Sequence, residues 1–295
     1  MYDPKHEPAR RAMTQQRLPP QCLVAMLVAL VASSARAQTA DLAYDLRVDI
    51  PVTAAATTWI LVAQLAKAQL AADPAHWCDC NSDGSDDLNG FDRAARSALR
   101  WNNPSTANTV SDIIGYGLAP VAAFGSIALA ASHDSALQNF PVDALIIAEA
   151  VALADAAVEI VKPLAGRERP FVHYLPAEDK AKTAHPLDNN VSFYSGHASW
   201  TFSLAAAAGT VATLRHYRLA PWVWVTGLAI ATFVSYSRIA ADRHYLTDVL
   251  TGGAMGMAIG FAVPYFFHRS SESRAPKVAL AALPKGAYLA VSWSD

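Results

Sequence analysis

The chain predicts an all-α fold, a membrane-embedded helical bundle with five or six apolar helices. Three observations predict it. The runs Ile113–Ser132, Gly196–Leu214, Leu219–Ser237 and Val249–Phe267 contain no Asp, Glu, Lys or Arg, and each is long enough to cross a hydrocarbon core about 30 Å thick. Hydrophobic residues make up 53% of the 295 and charged residues only 16%, an apolar balance for a water-soluble chain. Gly252, Gly253, Gly256 and Gly260 crowd the last run; small residues let helices approach closely in lipid but weaken a helix in water. A soluble bundle with the same runs as core helices is the competing architecture.

Taken in order, residues 1–37 read as a signal peptide. Lys5, Arg10, Arg11 and Arg17 form its basic region, Cys22 to Val31 its apolar stretch, and Ala35-Arg36-Ala37 its cleavage site. Residues 38–109 read as an exported helical and loop region. Within it Val52–Leu70 is apolar except for Lys67. A sixth crossing there would put residue 51 inside, against a cleaved leader, so this helix is expected to pack outside the bundle on the membrane surface. Cys78 and Cys80 are two residues apart. Bridging so short a loop is strained, and no bond is expected. Asp79, Asn81, Asp83 and Gly84 start like a calcium loop, but the twelfth position is Gly90; an Asx-rich turn is the expectation. Phe91–Trp101 reads as a short helix with Arg93, Arg96 and Arg100 along a solvated side.

Residues 110–268 hold the bundle. Asp143–Val161 contains Glu149, Asp155 and Glu159, which should face its interior. With residue 38 outside, the five later spans alternate, and Arg215 and Arg218 fall on the inner side. The tail, 269–295, alternates weakly around Pro284-Lys285-Gly286, which suggests a hairpin. A net charge of −2 and the absence of a basic stripe predict no nucleic-acid partner.

Three blocks carry candidate chemistry. Six residues separate Lys162 from Arg169-Pro170, and Pro163 is expected to end a helix there. Ser195-Gly196-His197 offers a hydroxyl, a close backbone approach and a proton donor. Arg238, His244 and Asp248 follow. On a helix His244 and Asp248 share a face, so the carboxylate can fix the imidazole tautomer and free the other nitrogen as nucleophile. Arg238 would lie just before or within the first turn of that helix. Three cations, two histidines and a carboxylate suit a phosphoryl group, whose transfer depends on electrostatic clamping.

In this order the blocks resemble the type 2 phosphatidic acid phosphatase (PAP2) superfamily, which also contains vanadium haloperoxidases and bacterial class A acid phosphatases. The resemblance covers about residues 110–267. It implies that Lys162, Arg169 and Arg238 bind phosphate, that Ser195 and Gly196 hydrogen-bond it, that His197 protonates the leaving group, and that His244 forms a phosphohistidine oriented by Asp248. It implies no metal and no cofactor for phosphatase chemistry. Tyr194 departs from the proline that usually begins the second block. The expected activity is metal-independent hydrolysis of lipid phosphate monoesters or diphosphates, polyprenyl diphosphates included, at the outer face of a bacterial inner membrane, with membrane lipids as surroundings. A soluble periplasmic acid phosphatase, a vanadate-dependent haloperoxidase and a silent lipid-phosphate binder are the alternatives.

Overall fold

The computed structural model describes residues 39–71, 74–81, 83, 85–270, 277–283 and 286–292. The expected leader at 1–37 lies outside the described residues. Helix α1 is Leu46–Leu65, capped by Asp45, whose carboxylate accepts from the Arg47 amide at 2.9 Å. A short α2, Gly90–Leu99, precedes α3, Pro104–His133, which contains a π-helical stretch at Ile113–Leu118. Helix α4 is Phe140–Ala165, α5 Gly196–Leu214, α6 Ala220–Ala240 and α7 Leu246–Phe267. Strands β1, Lys277–Leu283, and β2, Gly286–Ser292, form the expected antiparallel hairpin.

Six long helices among the described residues build the bundle. Among the described residues α1, α3, α6 and α7 are apolar enough to cross a membrane by composition. The acidic residues of α4 interrupt its apolar run but not the helix. Helix α5 is the hub, with most of its side chains buried. Of the three acids expected to face the interior, Glu149 is buried and Asp155 and Glu159 are half-buried; Asp143, at the start of the helix, is buried as well. Outward faces carry Val121, Leu129, Trp222, Val225, Leu250 and Phe267, all exposed, an apolar girdle that lipid covers and water would penalise.

The glycines of α7 set its seam against α5. A Cβ at Gly252, Gly256 or Gly260 would lie 2.4, 2.2 or 2.6 Å from the carbonyl oxygens of Ser195, Ser199 and Ser203. Only hydrogen at these positions lets the two backbones meet.

The helix ends sort into two groups. At one end Arg215 binds Asp143 at 2.7 Å, Tyr217 donates to the same carboxylate at 2.8 Å, and Arg218 binds the buried Asp134. Arg215 and Arg218 are thus largely spent on buried acids. At the other end meet Lys162, Gly196, Arg238 and His244, so all three motif blocks gather there.

Four expectations need correction. Helix α1 does not pack apart from the bundle on the membrane surface. Trp59 donates to the Ala156 carbonyl and Gln64 to Glu159, so α1 runs alongside α4 in the same direction. Pro163 does not stop α4; the helix continues to Ala165 and stops where Gly166 takes φ 53°, a left-handed cap suited to glycine. Cys78 and Cys80 are bonded, with Cα atoms 5.2 Å apart, inside the range a disulfide spans. The basic side of α2 is solvated only in part: Arg93 and Arg100 are exposed, but Arg96 grips Asp242 with two bonds of 2.6 and 2.7 Å, and Arg100 approaches it at 3.1 Å. The Asx turn is present, with the Ser85 amide donating to Asp83 at 3.0 Å.

Candidate active site

Ser195 is the N-cap of α5, its hydroxyl accepting from the Ala198 amide at 3.4 Å. The first amides of a helix have no partner within it and attract anions. Lys162, near the end of α4, reaches over this terminus: a Cβ on Gly196 would stand 3.1 Å from its Nζ, so glycine leaves room for the ammonium. Arg169 follows the Gly166 cap and is buried. Arg238 lies in the last turn of α6, not at the start of α7. It is buried as well, with Nη1 donating to Asn108 at 2.9 Å and to Ser111 at 2.7 Å. The Nε atoms of both arginines are buried without a hydrogen-bond partner. Buried unsatisfied donors on charged groups are costly; an anion among them would remove that cost. Burial first, and Arg243 among its neighbours, push Arg169 down to about 10, which still leaves it protonated at neutral pH.

His244 sits in the turn before α7, so it does not share a helix face with Asp248. Its Nδ1 is 2.8 Å from the Ser192 carbonyl and 3.7 Å from Asp248. A carbonyl only accepts, so Nδ1 carries the proton and Nε2 keeps its lone pair. The expected contact between His244 and Asp248 is thus replaced by the Ser192 backbone. Asp248, the third residue of α7, is occupied elsewhere. It accepts from the Ser192 hydroxyl at 2.6 Å, the Tyr245 amide at 2.9 Å and Arg167 at 2.6 Å, while its own carbonyl accepts from the Ser195 amide at 3.0 Å. It fixes His244 through Ser192 and ties two motif blocks together. Burial, and then Arg169, Arg238 and Lys162, hold His244 well below the usual histidine range. The imidazole is therefore neutral at physiological pH, as a nucleophile must be.

His197, one residue into α5, has Nε2 2.8 Å from Asp112 and Nδ1 3.4 Å from the Tyr116 hydroxyl. Asp112 also lies 3.4 Å from Arg238. The carboxylate only accepts, so Nε2 carries the hydrogen of this contact.

The structure brings together all eight predicted residues and adds two that the sequence reading missed. Asp112 is one, an isolated acid beside an apolar run. Arg167 is the other. Fully buried, it bonds Asp79, Asp92, Thr247 and Asp248 at 2.6–3.0 Å between the rings of Trp77 and Tyr245. Burial works against its charge, but Asp248 and Asp79 overcome this and hold it above the ordinary arginine value.

Residues 143–272 match the PAP2 superfamily, a stretch that contains all eight predicted residues. Over that stretch the chain is similar to the PAP2 superfamily. It is 38% identical over 69 residues to a lipid A 1-phosphatase of Porphyromonas gingivalis, a match covering 23% of this chain and 15% of that one. It is 31% identical over 103 residues to an undecaprenyl-diphosphatase of Sulfolobus acidocaldarius, covering 35% and 45%. A lipid A 4'-phosphatase of P. gingivalis is 30% identical over 112 residues, covering 37% and 44%. The chain thus spans less than half the length of these relatives. A transmembrane PAP2-type phosphatidylglycerolphosphate phosphatase from Bacillus subtilis aligns over 60% of this chain and 92% of its own, at 19% identity and a TM-score of 0.32. Helices α1 and α2, with Asp79, Asp92 and Asp112, lie outside the family match.

Proposed function

We propose that the chain is a phosphatase that hydrolyses lipid phosphate monoesters or diphosphates through a phosphohistidine at His244. The observation that carries this reading is the pair of unpartnered arginine Nε atoms, with Lys162 and the α5 N-terminus, around a neutral imidazole. The phosphoryl oxygens bind Lys162, Arg169, Arg238, the Ser195 hydroxyl and the Gly196 amide. His244 Nε2 attacks phosphorus. As the P–O bond to the leaving group breaks, His197 delivers a proton to the departing oxygen. Water then attacks the phosphohistidine, His197 takes its proton, and phosphate leaves with His244 restored. Asp112 stabilises the imidazolium of His197, and Asp248 with Arg167 positions His244 through Ser192.

The named activities of the relatives, on lipid A and undecaprenyl diphosphate, support a lipid substrate. So does a narrow cleft lined by Ala63, Lys67, Leu70, Lys162 and Pro163, which joins the apolar sides of α1 and α4 to the phosphate cage. The catalytic unit is residues 110–268, to which the 38–109 region contributes Asp79 and Asp92. The Cys78–Cys80 disulfide lies in the loop at the cage end, and disulfides persist on the exported side, so the cage faces the periplasm. The parallel course of α1 and α4 then starts α1 on the inner face. That favours a leader retained inside over one cleaved after Ala37.

Phosphate release by detergent-purified protein, with no metal added, tests the reading. Phosphatidic acid, a polyprenyl diphosphate and an aryl phosphate are compared, each against His244→Ala. Lipid turnover abolished by the substitution is expected. Release from the aryl ester alone would favour the small-ester acid phosphatase, and release unaffected by His244→Ala would refute the nucleophile.

A further inference from the structure

At the end of the bundle opposite the cage, Asp49 of α1, Glu149 of α4 and His268 after α7 converge, all buried, with their ligand atoms within 4.8 Å of one another. None belongs to the phosphate chemistry. His268 Nδ1 lies 2.9 Å from the Ala43 carbonyl, which makes Nδ1 the protonated nitrogen and turns the lone pair of Nε2 inward. A backbone carbonyl behind an imidazole in this way is the usual outer support of a metal-binding histidine. Nε2 faces Glu149 Oε2 at 3.5 Å, and both atoms are buried without a hydrogen-bond partner.

Two explanations compete for that facing pair, and length separates them. A proton shared between imidazolium and carboxylate draws the atoms to about 2.7–2.9 Å. A tetrahedral ion with metal–ligand bonds near 2.1 Å holds its ligands about 3.4 Å apart. The observed 3.5 Å matches the second. Charge agrees: two carboxylates converge on one imidazole, and a proton on His268 would offset only one of them. One nitrogen and two carboxylate donors suit zinc or a similar divalent transition ion, and leave a fourth position for water.

We propose that Asp49, Glu149 and His268 form a structural divalent-metal site that fastens α1 to α4 and to the end of α7. The ion is remote from the reacting phosphorus and takes no part in hydrolysis. The probes are Zn²⁺ and Co²⁺ added to tag-free, chelator-stripped, detergent-purified protein. Bound zinc is measured by elemental analysis, and cobalt coordination by its visible d–d absorption. The expected result is about one equivalent per chain, an intense tetrahedral-type cobalt spectrum, and a loss of affinity of at least about tenfold in Glu149→Gln and in His268→Ala. Zinc should raise the melting temperature of the unsubstituted protein and not that of Glu149→Gln, a near-isosteric change that keeps the comparison valid where His268→Ala does not fold. His244→Ala should bind the metal normally. Substoichiometric binding by the unsubstituted protein, or equal binding by Glu149→Gln, would overturn the proposal.

Discussion

Gly252→Ala joins packing to catalysis at a single atom. The added methyl would lie 2.4 Å from the Ser195 carbonyl oxygen, whereas a carbon–oxygen contact settles near 3.3–3.6 Å. The contact is with backbone, so the start of α7 must move away from the start of α5 by about 1 Å. Those two starts carry opposite halves of the cage: Ser195, Gly196 and His197 on one, and His244 and Asp248 on the other. A misplacement of about 1 Å costs on the order of 10²-fold in rate, and overpacking of a tight seam costs about 1–3 kcal/mol. Steady-state phosphate release and thermal melting in detergent measure both. Gly125→Ala, where nothing lies within 4 Å of the new Cβ, is the comparison and should leave both unchanged. A folded Gly252→Ala protein with activity within about threefold of the unsubstituted protein would refute the reasoning.

Three further predictions rest on other parts of the site. Arg167→Gln leaves Asp79, Asp92 and Asp248 around a neutral side chain and should destabilise by about 3–5 kcal/mol, read by melting; Arg167→Lys should recover only part, because one ammonium cannot reproduce the planar fork. His197→Ala should slow lipid phosphates by about 10²–10⁴-fold but spare activated aryl phosphates, whose leaving groups need no proton, and Asp112→Asn should show the same bias in milder form; equal losses on both substrates would remove His197 as proton donor. His244 has a folded value below its unfolded one, so the unfolded chain binds the extra proton between the two. Its contribution to stability is whole above about pH 6.5 and is lost as pH falls toward the folded value. Melting temperature should therefore drop more steeply below that pH in the unsubstituted protein than in His244→Gln, and parallel curves would contradict the assignment.

Much of this was legible in the sequence because lipid imposes simple rules. Charge-free runs of helix length became the bundle, and glycines spaced by four became its seam. The motif residues came together because each stands at a helix end on the same side. What the sequence hid was mostly a matter of partners. The four-residue spacing of His244 and Asp248 suggested a shared helix face, yet α7 begins between them and the Ser192 carbonyl takes the imidazole proton. Arg167 looked like one more loop cation, since its partners Asp79 and Asp92 lie more than seventy residues earlier in the chain. The apolar pattern of α1 fixed a helix but not its direction, which depends on contacts with Ala156 and Glu159.

The central claim is that phosphorus passes through His244, and it can be caught there. Protein mixed with lipid substrate labelled with ³²P and quenched in alkali should retain label that is stable to base, lost in acid and located at residue 244 by mass spectrometry. His244→Ala should retain none. Label at another residue, or phosphate release at full rate with no labelled protein at any quench time, would contradict the account.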